Sequence, residues 1–173
     1  MDYTNLVISR RAVLALPFAV VSSTSCSTVR RTGSGYAFIA NEEGQAVAAV
    51  DLQALAVARH IPLDSAPVEV LALHTRPLVY ALTPGNGSIH EIQSDRLRFA
   101  RKLAVGSHAI SMILSTDERF LYVLTGEPKA LVRVALDRFV VDWKLPLSED
   151  PHEFAVSPDG NTAAVSSDAA EAD

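Results

Sequence analysis

One stretch decides the fold: Pro151-His152-Glu153-Phe154-Ala155-Val156-Ser157-Pro158-Asp159-Gly160-Asn161. The apolar residues 154–156 predict a short buried strand. The Ser-Pro-Asp-Gly sequence at 157–160 predicts a tight turn, because proline fixes φ and glycine accepts a positive φ. Degraded copies of this stretch lie 42 and 84 residues upstream in an unbroken register. The chain is therefore a tandem array of one small unit.

Apolar residues recur at the same position of successive units throughout this array. The clearest columns are Val47, Ile89 and Leu131; Val50, Ile92 and Val134; Leu55, Leu97 and Phe139; and Val70, Met112 and Phe154. Each unit contains four short apolar runs separated by turn residues, and two runs of the second unit are 78–83 and 88–92. Asn86-Gly87, between these two runs, is typical of a tight hairpin. Four antiparallel strands with two apolar faces form a sheet that must be covered by its neighbours, which favours a β-propeller.

The turn and strand motifs resemble those of the YVTN-type bacterial β-propeller repeat. Residues 38–41 (Phe-Ile-Ala-Asn) and 122–125 (Tyr-Val-Leu-Thr) look like its strand start, and residues 50–52 (Val-Asp-Leu) look like its strand end. Residues 157–160 are its Ser-Pro-Asp-Gly turn in full, whereas residues 73–77 and 115–119 lack that signature. The resemblance implies an all-β fold, a partial propeller of about three four-stranded blades.

The predicted organisation is a signal peptide at 1–26, a linker at 27–34, an incomplete propeller at 35–168 and a tail at 169–173. Closed propellers have roughly four to eight blades, and residues 35–173 hold three units and the start of a fourth. Three explanations stay open: a fragment of a longer propeller, self-association of copies into a ring, or another curved assembly.

The N-terminal segment has the order of a secretory signal, with arginines followed by a short apolar run and small residues. Arg10 and Arg11 resemble the twin-arginine export motif. Cys26 falls where a bacterial lipoprotein is acylated, although Ser23 stands where that motif has an aliphatic residue, so ordinary cleavage is the alternative. We therefore expect an exported protein, either periplasmic or held at a membrane by a lipid on Cys26.

Composition excludes several classes of partner and site. A net charge of −5 without a basic block argues against nucleic-acid binding. One cysteine excludes a disulfide framework and a cysteine-based zinc site. The five histidines occupy five different columns of the repeat, which argues against a repeated metal site. We expect no metal and no cofactor.

No catalytic constellation stands out, and His152 and Glu153 are the candidates at the mouth of the central channel. An imidazole and a carboxylate there could bind a cation or act as acid and base, and the alternative is a solvated loop. Arg96, Arg98, Arg101 and Lys102 are interpreted as a solvated strand edge. Trp143 and the tyrosines occupy strand positions typical of a core.

The predicted function is non-catalytic binding, with the propeller as a scaffold for an unidentified protein or small molecule. The alternative is a propeller enzyme or enzyme subunit. Resemblance to other propellers suggests either a sugar-lactone hydrolase or a subunit of a periplasmic redox enzyme, whose cofactor would lie in a partner.

Overall fold

The computed structural model describes residues 6–7 and 35–167, which form strands and turns with one short 3-10 helix, Pro84–Asn86. The strands fall into four successive units. Unit 1 contains β1 (Leu6–Val7), β2 (Tyr36–Asn41), β3 (Ala46–Asp51) and β4 (Ala56–Pro62); unit 2 contains β5 (Glu69–Ala72), β6 (Leu78–Thr83), β7 (Ser88–Gln93) and β8 (Arg98–Ala104). Unit 3 contains β9 (Ser107–Leu114), β10 (Phe120–Glu127), β11 (Lys129–Ala135) and β12 (Val140–Pro146); unit 4 contains β13 (Pro151–Val156) and β14 (Ala163–Ser167).

Each unit is one sheet whose strands follow chain order, and neighbouring strands are antiparallel except β1, which pairs with β2 in parallel. A register shift interrupts the third strand of units 1 to 3 at equivalent places, Ala49/Val50, Glu91/Ile92 and Arg133/Val134. The turn after that strand contains a positive-φ residue in each unit, Leu55, Leu97 and Phe139. The predicted 42-residue period is thus present in the backbone as well as in the sequence.

The turn at 115–118 keeps the geometry of the Ser-Pro-Asp-Gly turn without its proline and glycine. The amide of Glu118 donates to the carbonyl of Ser115 at 2.9 Å, as the amide of Gly160 donates to Ser157 at 2.8 Å. Glu118 has a φ of 54° and Gly160 a φ of 70°. The missing signature therefore changes the residue that occupies the left-handed position but leaves the turn in place.

Apolar side chains pack mainly between units. One buried cluster joins unit 1 to unit 2 and includes Phe38, Val47, Val79 and Ile92. A second joins units 2 and 3, and a third joins unit 3 to Phe154 of unit 4. Tyr80 and Tyr122 are buried as predicted, but the prediction for Trp143 is wrong, since its exposed fraction is 40%.

The first strands of successive units lie side by side, and the fourth strands form the outer edge. Glu69 on β5 links two first strands, because its Oε2 atom accepts the amide of Met112 on β9 at 2.9 Å. The fourth strands β4, β8 and β12 are mostly exposed. Their exposure follows from their place at the edge of each sheet, where one side has no further strand.

Most of the predicted N-terminal features lie outside the described residues. These are the signal peptide at 1–26 with Arg10, Arg11 and Cys26, apart from the two residues of β1, the linker at 27–34, and the tail at 169–173. No helix within the described ranges is long and apolar enough to cross a membrane.

Candidate functional site

The segment between β4 and β5 carries Asp64 over the outer strands of unit 2. Asp64 Oδ1 lies 2.8 Å from His90 Nε2 on β7, and it accepts a 2.8 Å hydrogen bond from Asn86 Nδ2. Its second oxygen accepts a hydrogen bond from Lys102 Nζ on β8. On the far side of the imidazole, Thr83 Oγ1 lies 3.3 Å from His90 Nδ1. This network fastens the connection between units 1 and 2 to the sheet of unit 2.

The electrostatics of this network follow from the difference in burial between its members. The pKa of Asp64 is lowered mainly by the hydrogen bond from Lys102, with smaller contributions from His90 and Asn86. The pKa of His90 is lowered because burial disfavours the imidazolium, and this effect exceeds the attraction of Asp64. Near neutral pH the arrangement is therefore an Asp64–Lys102 ion pair beside a neutral His90 that donates from Nε2.

A cavity of about 490 Å³ opens beside this network. Phe99, with an exposed fraction of 43%, lies 5.8 Å from His90 between ring centroids. The lining residues are Pro62, Leu63, Asp64, His90, Phe99, Arg101 and Lys102. An apolar surface with a few polar groups at its rim is the usual composition of a small-molecule pocket. The cavity therefore suits a ligand that has an apolar body and one hydrogen-bonding group.

Arg101 connects this cavity to the junction between units 2 and 3. Its guanidinium donates to both carboxylate oxygens of the buried Glu91, at 2.8 and 3.0 Å, and Tyr80 Oη donates to Glu91 at 3.0 Å. Phe139 of unit 3 stacks on Tyr80 and lies 4.6 Å below the guanidinium carbon of Arg101. Burial is the main reason that the pKa of Tyr80 is raised. The contacts among Tyr80, Glu91, Arg101 and Phe139 hold units 2 and 3 together.

Glu118 forms a second polar link across the same junction. Its carboxylate accepts the amides of His74 and Thr75 at 2.6 and 2.9 Å, and Arg76 donates to its carbonyl at 3.0 Å. Burial acts to raise the pKa of Glu118, but the hydrogen bonds from Thr75 and His74 outweigh it and the pKa is lowered. The carboxylate thus satisfies backbone donors of the preceding unit.

The predicted candidates His152 and Glu153 lie elsewhere, on β13 of unit 4, where both side chains are exposed. The structure does not bring them to the Asp64 cavity. Nearby, Asp150 forms an ion pair with Lys129 at 2.9 Å. In residues 6–7 and 35–167, no three His, Cys, Asp or Glu side chains are grouped as metal ligands would be.

Sequence reasoning missed the pairing of Asp64 with His90. Arg101 and Lys102 lie on the exposed edge strand β8, as predicted, and each is also paired with a carboxylate. One available signal was the column of His90, whose other members, Ala48 and Val132, are apolar and buried. A histidine in such a column requires a polar partner, although the column does not reveal that the partner is Asp64.

Comparisons with known proteins connect this architecture to solved structures. No family model matches the chain, and no curated protein matches it. Hydrazine synthase from Kuenenia stuttgartiensis is similar over 78% of this chain, with a TM-score of 0.69 and 20% identity. A protein of unknown function from Desulfotomaculum acetoxidans is similar over 72%, with a TM-score of 0.65 and 14% identity.

A third similar structure is the dihydro-heme d1 dehydrogenase NirN in complex with DHE, which matches 64% of this chain with a TM-score of 0.58 and 18% identity. The fold is a β-propeller. Its units 1 to 3 are propeller blades of four strands, and unit 4 supplies two strands of a further blade. The matched part of this chain spans 39%, 41% and 25% of the lengths of the three similar chains. At sequence identities of 20%, 14% and 18%, the likeness concerns the fold alone.

Proposed function

We propose that this chain is an exported β-propeller repeat protein of the YVTN type that acts as a non-catalytic binding scaffold. Export is proposed from the twin-arginine-like segment containing Arg10 and Arg11, with Cys26 as the residue that a lipid anchor would modify. The YVTN assignment is proposed from the 42-residue period and the Ser-Pro-Asp-Gly turn. The binding function is proposed from the described residues.

One observation supports a scaffold above the alternatives. Three acidic or basic side chains are buried in the described part of the chain: His90, Glu91 and Glu118. Each is held by structural partners: His90 by Asp64, Glu91 by Tyr80 and Arg101, and Glu118 by the backbone of unit 2. Groups fixed in this way stabilise the junctions between units, and a rigid set of units can present loops and cavities to a partner.

The cavity beside Asp64 is the proposed binding site for a small ligand. Leu63 and Phe99 provide apolar contacts, and the Asp64–Lys102 pair offers both an acceptor and a donor at the rim. His90 is already engaged on both nitrogens, so its role here is to orient Asp64. A ligand with a flat apolar body and an anionic or hydroxyl group meets these requirements.

Fluorescence titration with 8-anilinonaphthalene-1-sulfonate tests this site, because the probe has an aromatic body and one anionic group. We expect Phe99→Ala to weaken probe binding by roughly fivefold or more, which corresponds to loss of about 1 kcal/mol of apolar contact. Val68→Ala is the matched control, since Val68 is similarly exposed and does not line the cavity. Equal affinity for Phe99→Ala and the wild type would contradict the proposed site.

The alternative function, a propeller enzyme or a redox-enzyme subunit, has the shared fold as its support. Two of the similar structures carry the names of redox enzymes, hydrazine synthase and NirN. A subunit of that kind would contribute a propeller surface to a partner that holds the cofactor. The buried acidic and basic side chains of the described residues are all engaged in structural contacts, and this favours the scaffold over the enzyme.

A further inference from the structure

The junction between successive units repeats one contact. In unit 3, the positive-φ residue Phe139 packs on Tyr80 and Arg101 of unit 2, with ring centroids 5.8 Å apart in the aromatic pair. In unit 2, the equivalent Leu97 packs against the cluster that contains Phe38 of unit 1, and Phe38 occupies the column of Tyr80. We call this turn residue the knob and the face that receives it the socket. Within residues 35–167, two knobs therefore fill two sockets.

One knob remains exposed on unit 1. Leu55 is the equivalent of Leu97 and Phe139 and has the same backbone conformation, with a φ of 53°. Its exposed fraction is 81%, whereas that of Phe139 is 5%. Val57, two residues further on, is half exposed. An exposed leucine in a left-handed turn has no local stabilising role. Leu55 nevertheless has the position and backbone conformation of Leu97 and Phe139, which pack against the preceding unit.

Within the described residues, the socket on unit 3 is only partly covered. Tyr122, Arg133 and Trp143 occupy the columns of Tyr80, Glu91 and Arg101, the residues that meet Phe139 in unit 2. A cavity of about 560 Å³ lies between Phe120, Tyr122 and Arg133 of unit 3 and residues 158–161 of unit 4. The exposed fraction of Leu145, at the edge of this face, is 42%, whereas its equivalent Ile61 in unit 1 is buried. Phe154, Val156 and Val165 of unit 4 pack with Tyr122. On the outer strand of the same face, the side chains of Trp143 and Leu145 stay exposed.

The first-strand position of unit 1 is also incompletely filled. In units 2 and 3, the second strand pairs with an antiparallel first strand, β5 with β6 and β9 with β10. In unit 1, the corresponding edge of β2 pairs with the two residues of β1, in parallel. Unit 4 provides a complete first strand, β13, whose partner β14 is mostly exposed. In the described part of the chain, unit 1 therefore shows no antiparallel first strand, the element that β13 provides in unit 4.

We propose that a second copy of this chain docks on unit 3 in a head-to-tail arrangement. Leu55 of the second copy fills the socket formed by Tyr122, Arg133 and Trp143. Its β2 pairs with β13 of the first copy in place of β14, so that strands of two chains complete one four-stranded sheet. The contact joins two different surfaces, so it closes into a ring if the rotation permits and extends into a filament otherwise. This inference is independent of the proposed ligand site.

Light scattering coupled to size exclusion measures the association. We expect the wild-type mass to rise above that of a monomer with increasing concentration, and Leu55→Arg to return it to a monomer. Arg98→Glu, at an exposed position of β8 in unit 2, serves as the control and should associate like the wild type. A wild-type protein that remains monomeric at every concentration would overturn the proposal.

Cross-linking tests the polarity of the contact and does not depend on the arginine variant. Leu55→Cys and Trp143→Cys are prepared separately in a Cys26→Ser background and treated with a short bismaleimide. We expect a covalent dimer when the two variants are mixed, and none from either variant alone. Dimer from one variant alone, or no dimer from the mixture, would refute a head-to-tail contact between Leu55 and the socket.

Discussion

Gly87 is the residue at which the turn between β6 and β7 comes closest to another part of the backbone. Its φ is 57°, and a Cβ atom added there would lie 1.7 Å from the carbonyl oxygen of Gly106. The amides of Val105 and Gly106 donate to the carbonyl of Gly87 at 2.9 and 3.4 Å, so the two segments are held together by hydrogen bonds. The contact requires a residue without a side chain.

We expect Gly87→Ala to lower the free energy of unfolding by about 2 to 4 kcal/mol, because it adds left-handed strain to a backbone clash. Urea denaturation measures this change. Gly85→Ala is the control in the same turn, since its Cβ would meet the Ser65 hydroxyl, which can rotate away. Equal losses for the two variants would show that the clash with Gly106 is not the cause.

Glu118 shows why one residue of a repeat can differ without loss of the turn. A non-glycine residue at a φ of 54° is strained by about 1 kcal/mol or more. Its carboxylate offsets this cost by accepting the amides of His74 and Thr75. The sequence reveals the loss of the glycine but not the compensation, because the two partners lie 44 and 43 residues away and in a different unit.

At the scale of elements, the most informative feature is the turn that carries the knob. We expect Phe139→Ala to lower the free energy of unfolding by about 3 to 4 kcal/mol, because it opens a cavity against Tyr80. Leu55→Ala at the equivalent position should cost less than about 0.5 kcal/mol in dilute solution, where an exposed side chain contributes little. Urea denaturation of both variants provides the measurement. Similar losses of unfolding free energy in the two variants would contradict the difference in burial between Leu55 and Phe139.

The strands themselves were predictable, whereas the links between them were not. Turn residues and the 42-residue columns predict β6 at Leu78–Thr83 as the structure has it, and β7 to within one residue. Continuous apolar runs and turn residues are local signals, so they can be read from one sequence. The Asp64–His90 contact joins a connecting segment to a strand across 26 residues, and no periodic pattern encodes that pairing.

For the whole molecule, the pH dependence of stability combines the ionisable groups whose pKa values shift on folding. Folding lowers the pKa of His90, so its stabilising contribution is present above its unfolded pKa, about 6.5, and is lost as the pH falls through the folded value. Asp64 and Glu118 act in the same sense below about pH 4.5, since folding lowers their pKa values. Glu69 acts in the opposite sense, because burial raises its pKa.

We therefore expect the free energy of unfolding to fall more steeply between pH 7 and pH 5 in the wild type than in His90→Asn. Asparagine cannot take up the proton whose binding opposes folding. Chemical denaturation at several pH values measures the two slopes, and His60→Asn, at an exposed histidine on β4, is the control. An identical slope for wild type and His90→Asn would remove His90 from the pH response.

The register shift that recurs at Ala49/Val50, Glu91/Ile92 and Arg133/Val134 sets a rule for how such a chain can change length. Duplicating or deleting a whole unit keeps every later shift, knob and socket in phase, because the register is the same in each unit. Inserting an odd number of residues within a strand would turn the later side chains of that strand to the opposite face of the sheet. Growth by gene duplication is therefore tolerated in steps of 42 codons, and smaller insertions are confined to the connecting turns.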